Sequence, residues 1–110
     1  MAKVAVASMD GISVNEHFGR VKDFYVYEVS ESGEYTLLDR RRVVREGGKN
    51  VPHTMEEIVL LLTGVEAVLA AQIGPHAEQE LRGNGIIALS VTGPIEKTLQ
   101  MYGKRSKYIS

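Results

Sequence analysis

Apolar positions along the chain fall into short extended runs in the first half and alternate with helical spacings in the second. Lys3 to Ser8 alternates Val and Ala, and Asp23 to Val29 (Asp-Phe-Tyr-Val-Tyr-Glu-Val) is aromatic and β-branched. Both predict strands. Ser30-Glu31-Ser32-Gly33-Glu34 is a turn signal, after which Tyr35 to Val44 resumes the extended pattern, so the second and third strands form an antiparallel hairpin. Arg45 to Val51 reads as a glycine-bearing loop.

Thr54 with Glu57 three residues later matches a capping box, and Met55, Ile58, Val59 and Leu62 keep one apolar helical face. A helix over Thr54 to Thr63 follows, stopped by Gly64. Val65 to Ile73 is almost continuously apolar, as a strand covered on both faces requires. Gly74-Pro75 breaks it, a helix over His76 to Arg82 closes at Gly83-Asn84-Gly85, and Ile86 to Val91 makes another buried strand. Gly93-Pro94 opens a last helix with Ile95, Leu99 and Tyr102 on one face, which Gly103 ends, leaving 104–110 as a flexible basic tail.

The order βββαβαβα begins as a meander and continues with right-handed parallel crossovers. Placing the first strand centrally gives a mixed five-stranded sheet of order 3-2-1-4-5, an α/β, three-layer arrangement of the ribonuclease H-like kind. In that topology strands one, three, four and five point the same way. His17, His53 and His76, together with Thr92-Gly93, then fall in loops at one sheet edge, where open α/β sheets bind ligands.

Length and composition change this picture mainly by exclusion. At 110 residues and 44% apolar content the chain fits one domain, 1–110, with one ordinary core. A net charge of −1 gives no global field for nucleic acid or membrane, and no apolar run is long enough to span a bilayer, so a soluble cytoplasmic protein is expected. The absence of cysteine removes thiolate nucleophiles and thiolate metal ligands, leaving histidines, carboxylates and thioethers.

The loop Met9 to Arg20 offers His17 between Gly11 and Gly19, with Asp10 and Asn15 favouring turns. His17 and His53 are the metal candidates, although a lone loop histidine also serves as a solvated or capping residue. His76 starts a helix, where that placement alone accounts for it. The Ile73-Gly74-Pro75-His76-Ala77 turn presents amides to an anion, but lacks the lysine and hydroxyl of a P-loop. Arg40-Arg41-Arg42, with Arg45, protects an edge strand; Met9 offers a thioether, Met55 belongs to the core, and Tyr25, Tyr27 and Tyr35 pack the hairpin. Nuclease chemistry needs converging carboxylates that the first strand lacks, and Ser8, Ser13 and Ser90 form no Ser-His-acid constellation, so no enzymatic activity is expected.

Three blocks resemble the dinitrogenase iron-molybdenum cofactor-binding domain family, found in NifX-like proteins and at the C-terminus of NifB-like proteins. They are Val4 to Ser8 with Asp10-Gly11 and His17-Phe18-Gly19; Phe24 to Val29; and Ile73-Gly74-Pro75-His76-Ala77 with Leu81 and Gly85-Ile86. The resemblance implies a ribonuclease H-like domain that binds or carries, without covalent attachment, the iron-molybdenum cofactor, its precursor or another molybdenum or iron-sulfur cluster. It implies His17 of the His-Phe-Gly block as a cluster ligand, assisted by His53, with Phe18, Gly19, Arg20, Gly74, Pro75, His76 and Ala77 around it and cofactor-assembly proteins as partners. Backbone amides, with Arg20 or Lys49, would meet the anionic sulfide face. A different class stays open: a small anion- or nucleotide-binding regulatory module using the same edge.

Overall fold

The computed structural model describes the backbone of residues 2–43 and 54–109, with side chains through Lys104. Strands β1 (Ala2–Ala7), β2 (Ser13–Val14), β3 (Asp23–Val29) and β4 (Tyr35–Arg42) precede helix α1 (Met55–Leu61). β5 (Ala67–Ala70), α2 (Pro75–Gly83), β6 (Ile87–Ser90), β7 (Gly93–Pro94) and α3 (Ile95–Ile109) follow. Five strands form a sheet of order β4-β3-β1-β5-β6, while β2 and β7 pair separately. β1 runs antiparallel to β3, with Val4 opposite Tyr27, and parallel to β5, with Val4 beside Ala67. β4 is antiparallel to β3, and β6 parallel to β5. The ends of β1, β4, β5 and β6 therefore share one edge.

The Val/Ala alternation of β1 follows from the two layers it separates. Ala5 and Ala7 lie on the α1/α2 side, where their small size leaves room for Phe18, Phe24, Leu62 and Leu81. Val4 and Val6 face the other way, onto Ile95, Leu99 and Tyr102 of α3. Each such side chain buried contributes about 1.5–3 kcal/mol. Thr54 caps α1, its hydroxyl accepting from the Glu57 amide at 3.3 Å, which contributes about 1 kcal/mol.

Several expectations are corrected. Ile86 to Val91 is not a strand buried on both faces: β6 is an outer strand, and Ile87 is 45% exposed because α3 alone covers that face of the sheet among the described elements. Gly93 and Pro94 do not open the last helix but pair with Val14 and Ser13. Gly103 does not end it either, since the helix continues to Ile109. The reason is steric. α3 crosses the β3–β4 turn so closely that a Cβ on Gly103 would overlap the Ser30 carbonyl oxygen and lie 2.9 Å from Val29 Cγ1 and 3.2 Å from Gly33 Cα. Glycine is placed there for approach, not for termination. The third strand ends at Arg42, with Val43 bonded to the Lys22 carbonyl; Val44, the Arg45–Val51 loop and His53 lie outside the described residues.

The segment from Ser8 to Asn15 is fixed by its own polar groups. Ser8, 1% exposed, donates its hydroxyl to the Ser13 carbonyl at 2.6 Å and accepts from the Gly11 amide at 2.9 Å. Asp10 Oδ1 accepts from the Ile12 and Ser13 amides at 2.9 and 3.1 Å, and Asn15 Oδ1 from the Met9 amide at 2.9 Å. Gly11 has φ of +72°, and a Cβ there would press on the Tyr25 ring at 3.2 Å, so conformation and space both select glycine.

Two outcomes follow from these contacts. Gly103→Ala gains about 1 kcal/mol of helix propensity but forces backbone apart at about 1–3 kcal/mol or more, so its midpoint in denaturant should fall. Gly83→Ala, in α2 with open space around it, is the matched control and should hold or raise the midpoint. The second concerns pH: the Ile12 amide, then that of Ser13, hold the Asp10 carboxyl below its ordinary 3.8. A depressed carboxyl contributes stability that is full above about pH 3.8 and is lost as pH falls through the lowered value. Protection factors of the Ile12 and Ser13 amides, which are corrected for intrinsic exchange, should fall in that acid window, and Asp10→Asn should remove most of that change.

Candidate functional site at the sheet edge

After β1 the chain must turn to one side for β3, whereas α1 delivers it to β5 on the other. The crevice between the ends of β1 and β5 is thus the switch point of the sheet, where strands diverge and ligands enter. The loop returns across this crevice. The Ala71 amide donates to the Glu16 carbonyl and the Phe18 amide to the Gln72 carbonyl, both at 2.9 Å, so His17 pairs with Gln72 in a parallel bridge. Backbone bonds set the position of His17.

Its neighbours are sorted by the bridge. Phe18 is buried in the α1/α2 layer, its ring 5.9 Å from that of Phe24, and so anchors the loop. Ile73, after Gln72, is buried in the same layer. His17 and Gln72, between these anchors, are exposed. Gly19 and Arg20 are also exposed, and nothing lies within 4 Å of where a Gly19 Cβ would be. A bulky group has open access to this backbone.

The second half of the edge is the turn from β5 into α2. Ser90 Oγ accepts from the Ile73 amide at 3.2 Å and ties the turn to the end of β6. Gly74 is the N-cap and makes no side-chain cap bond, Pro75 is the first helical residue, and Gly74, Pro75 and His76 are exposed. Ala77 packs partly buried against the α1/α2 layer. The candidate residues around His17 and those from Gly74 to Ala77 therefore come to one edge, joined through Gln72 and Ile73. His53 lies outside the described residues. Among the described residues no three His, Asp or Glu converge as a metal cage.

The arginine run, by contrast, is engaged in the fold. Arg40 and Arg42 reach Asp23 at 3.1 and 3.3 Å, and Arg40 lies over the Tyr25 ring at 5.4 Å. The Arg40 guanidinium, against the opposing effect of burial and with help from Arg42, holds the Asp23 carboxyl below its usual range. Arg41 donates to the Leu61 and Thr63 carbonyls at 2.9 Å, closing the end of α1. Tyr27 and Tyr35 meet edge to face at 5.9 Å, and burial raises the Tyr27 phenol.

Sequence reading passes over Gln72 at this edge and weighs Ser90 only as a nucleophile, not as the partner of the Ile73 amide. The one available signal is that Gln72 is the sole uncharged polar residue in the apolar run from Val65 to Ile73.

The edge thus combines an exposed imidazole, open backbone at Gly19 and Gly74, and α2 amides without a side-chain cap.

The family model described as "Dinitrogenase iron-molybdenum cofactor" matches residues 1–105. The FeMo cofactor biosynthesis protein NifB of Rhizobium meliloti is 38% identical over 92 residues, 82% of this chain and 19% of that protein. NifB of Chlorobaculum tepidum is 32% identical over 97 residues, 87% of this chain and 22% of that protein. The chain thus spans about a fifth of the length of these curated relatives. The crystal structure of PH0822 shares the fold, with a TM-score of 0.69 at 22% identity, covering 92% of this chain and 88% of that one. No helix among the described residues is long and apolar enough to cross a membrane. On the match over residues 1–105, this chain belongs to the dinitrogenase iron-molybdenum cofactor family.

Proposed function

We propose that residues 1–110 act as one non-enzymatic, cytoplasmic module on a ribonuclease H-like frame, binding or carrying a preformed metal–sulfur cluster in cofactor biosynthesis or trafficking. The iron-molybdenum cofactor, its precursor or a related cluster is the cargo, and cofactor-assembly proteins are the exchange partners. The observation that carries this reading is an exposed imidazole, His17, locked by main-chain bonds at the switch point of a domain of this family. His17 would meet a metal of the cluster, with His53 as a second imidazole. Arg20 and the amides at the start of α2 would face its sulfides. Phe18 contributes by anchorage, and Gly19, Gly74 and Pro75 leave the approach clear.

With no cysteine in the chain, attachment rests on imidazole and hydrogen bonds, which suits release to a partner better than permanent storage. The uncapped N-terminus of α2 also favours the alternative, an anion- or nucleotide-binding regulatory module.

Anaerobic mixing with an isolated iron-molybdenum cofactor should give a coloured complex, and His17→Ala should weaken binding by about tenfold or more. An unchanged spectrum and affinity in the variant would remove His17 from the site. Thermal stabilisation by nucleotides, with none by clusters, would favour the regulatory module.

A further inference from the structure

The bridge at the switch point positions a second side chain with the same care as His17. Residues paired directly across a ladder project their side chains to the same side, with Cβ atoms about 5 Å apart. His17 and Gln72 are such a pair. Phe18, the first residue of a short 3-10 turn, and Ile73 both turn into the α1/α2 layer, whereas His17 and Gln72, the paired residues of the bridge, stay outside it. Both are exposed. Gln72 is therefore the residue paired with His17 across the bridge.

We propose that Gln72 is a ligand-contacting residue of this edge, its carboxamide N–H groups donating to a sulfide of the cargo beside the metal that His17 meets. The proposal rests on the cluster-carrier reading and names how the anionic part of that cargo is recognised. Sulfides on a metal cluster carry negative charge and accept hydrogen bonds, so the side chain next to the metal ligand must donate without bringing a competing carboxylate. A carboxamide does this while remaining neutral. The nearest acidic residue in sequence, Glu16, is spaced one position from His17, so along the extended bridge it alternates to the other side. Gln72 and His17 would then form a mixed pair, one side chain for metal and one for sulfide.

Two experiments separate the placement from the chemistry. Gln72→His would set two imidazoles across one bridge, and titration with Ni(II) should show at least about tenfold tighter binding than wild type, lost again when His17→Ala is added. No gain would overturn the placement, and with it the proposal, while leaving the carrier reading intact. Tetrathiomolybdate, an anionic molybdenum–sulfur probe, tests the chemistry by calorimetry with the wild-type chain. Gln72→Leu should weaken its binding several-fold and Gln72→Glu about tenfold or more, with unfolding midpoints unchanged because the side chain is exposed. Equal affinity in Gln72→Glu, or no binding by wild type, overturns the proposal. Failure of His17→Ala to affect cluster binding would instead overturn the carrier reading.

Discussion

The structure of the site depends on one exchange of backbone partners. Beyond Ala70 the chain runs past the end of β1, so the Ala71 amide and the Gln72 carbonyl would lack partners on that side. The returning loop supplies them, with Glu16 and Phe18 taking the places that an extended β1 would have filled. Each such backbone bond contributes about 0.5–1.5 kcal/mol net, which helps to hold the loop down against its conformational freedom. His17 is carried to the switch point as a passenger of this pairing.

Everything upstream prepares that return. The Ser8–Asp10–Asn15 network turns the chain immediately at the end of β1, and the β2–β7 pair fastens the outer limb of the loop to the start of α3. Phe18 and Val21 then insert into the α1/α2 layer. The loop crosses from one face of the sheet to the other. It is anchored in both cores, Val14 in one and Phe18 in the other, with only the short exposed stretch between them available to a ligand.

Much of this was legible before any coordinates. Strong local signatures, such as the Thr54 cap, the aromatic β3 and the apolar run around β5, predict their elements because capping chemistry and continuous burial are written in adjacent residues, although β5 itself is confined to Ala67–Ala70. The meeting of His17 with the Gly74–Ala77 turn at one edge was also legible, since it follows from strand directions alone. What stayed hidden depends on contacts distant in sequence. Nothing in Ser13-Val14 and Gly93-Pro94 announces a two-residue pairing, and Gly103 reads as a helix stop unless the turn beneath it is known. The bridge partner of His17 was invisible for the same reason: Gln72 looks like the frayed end of a strand.

The close crossing at Gly103 sits at the far end of the sheet from His17, where the β3–β4 turn meets α3. That end admits almost no change, because main chain presses on main chain. At the ligand rim the same main-chain economy has the opposite result: the bonds that position residues 17 and 72 belong to the peptide groups, not to the side chains. Those side chains can be exchanged without disturbing how the chain folds. The domain thereby separates heritable shape from adjustable surface chemistry, since two exposed positions can change on an unchanged scaffold.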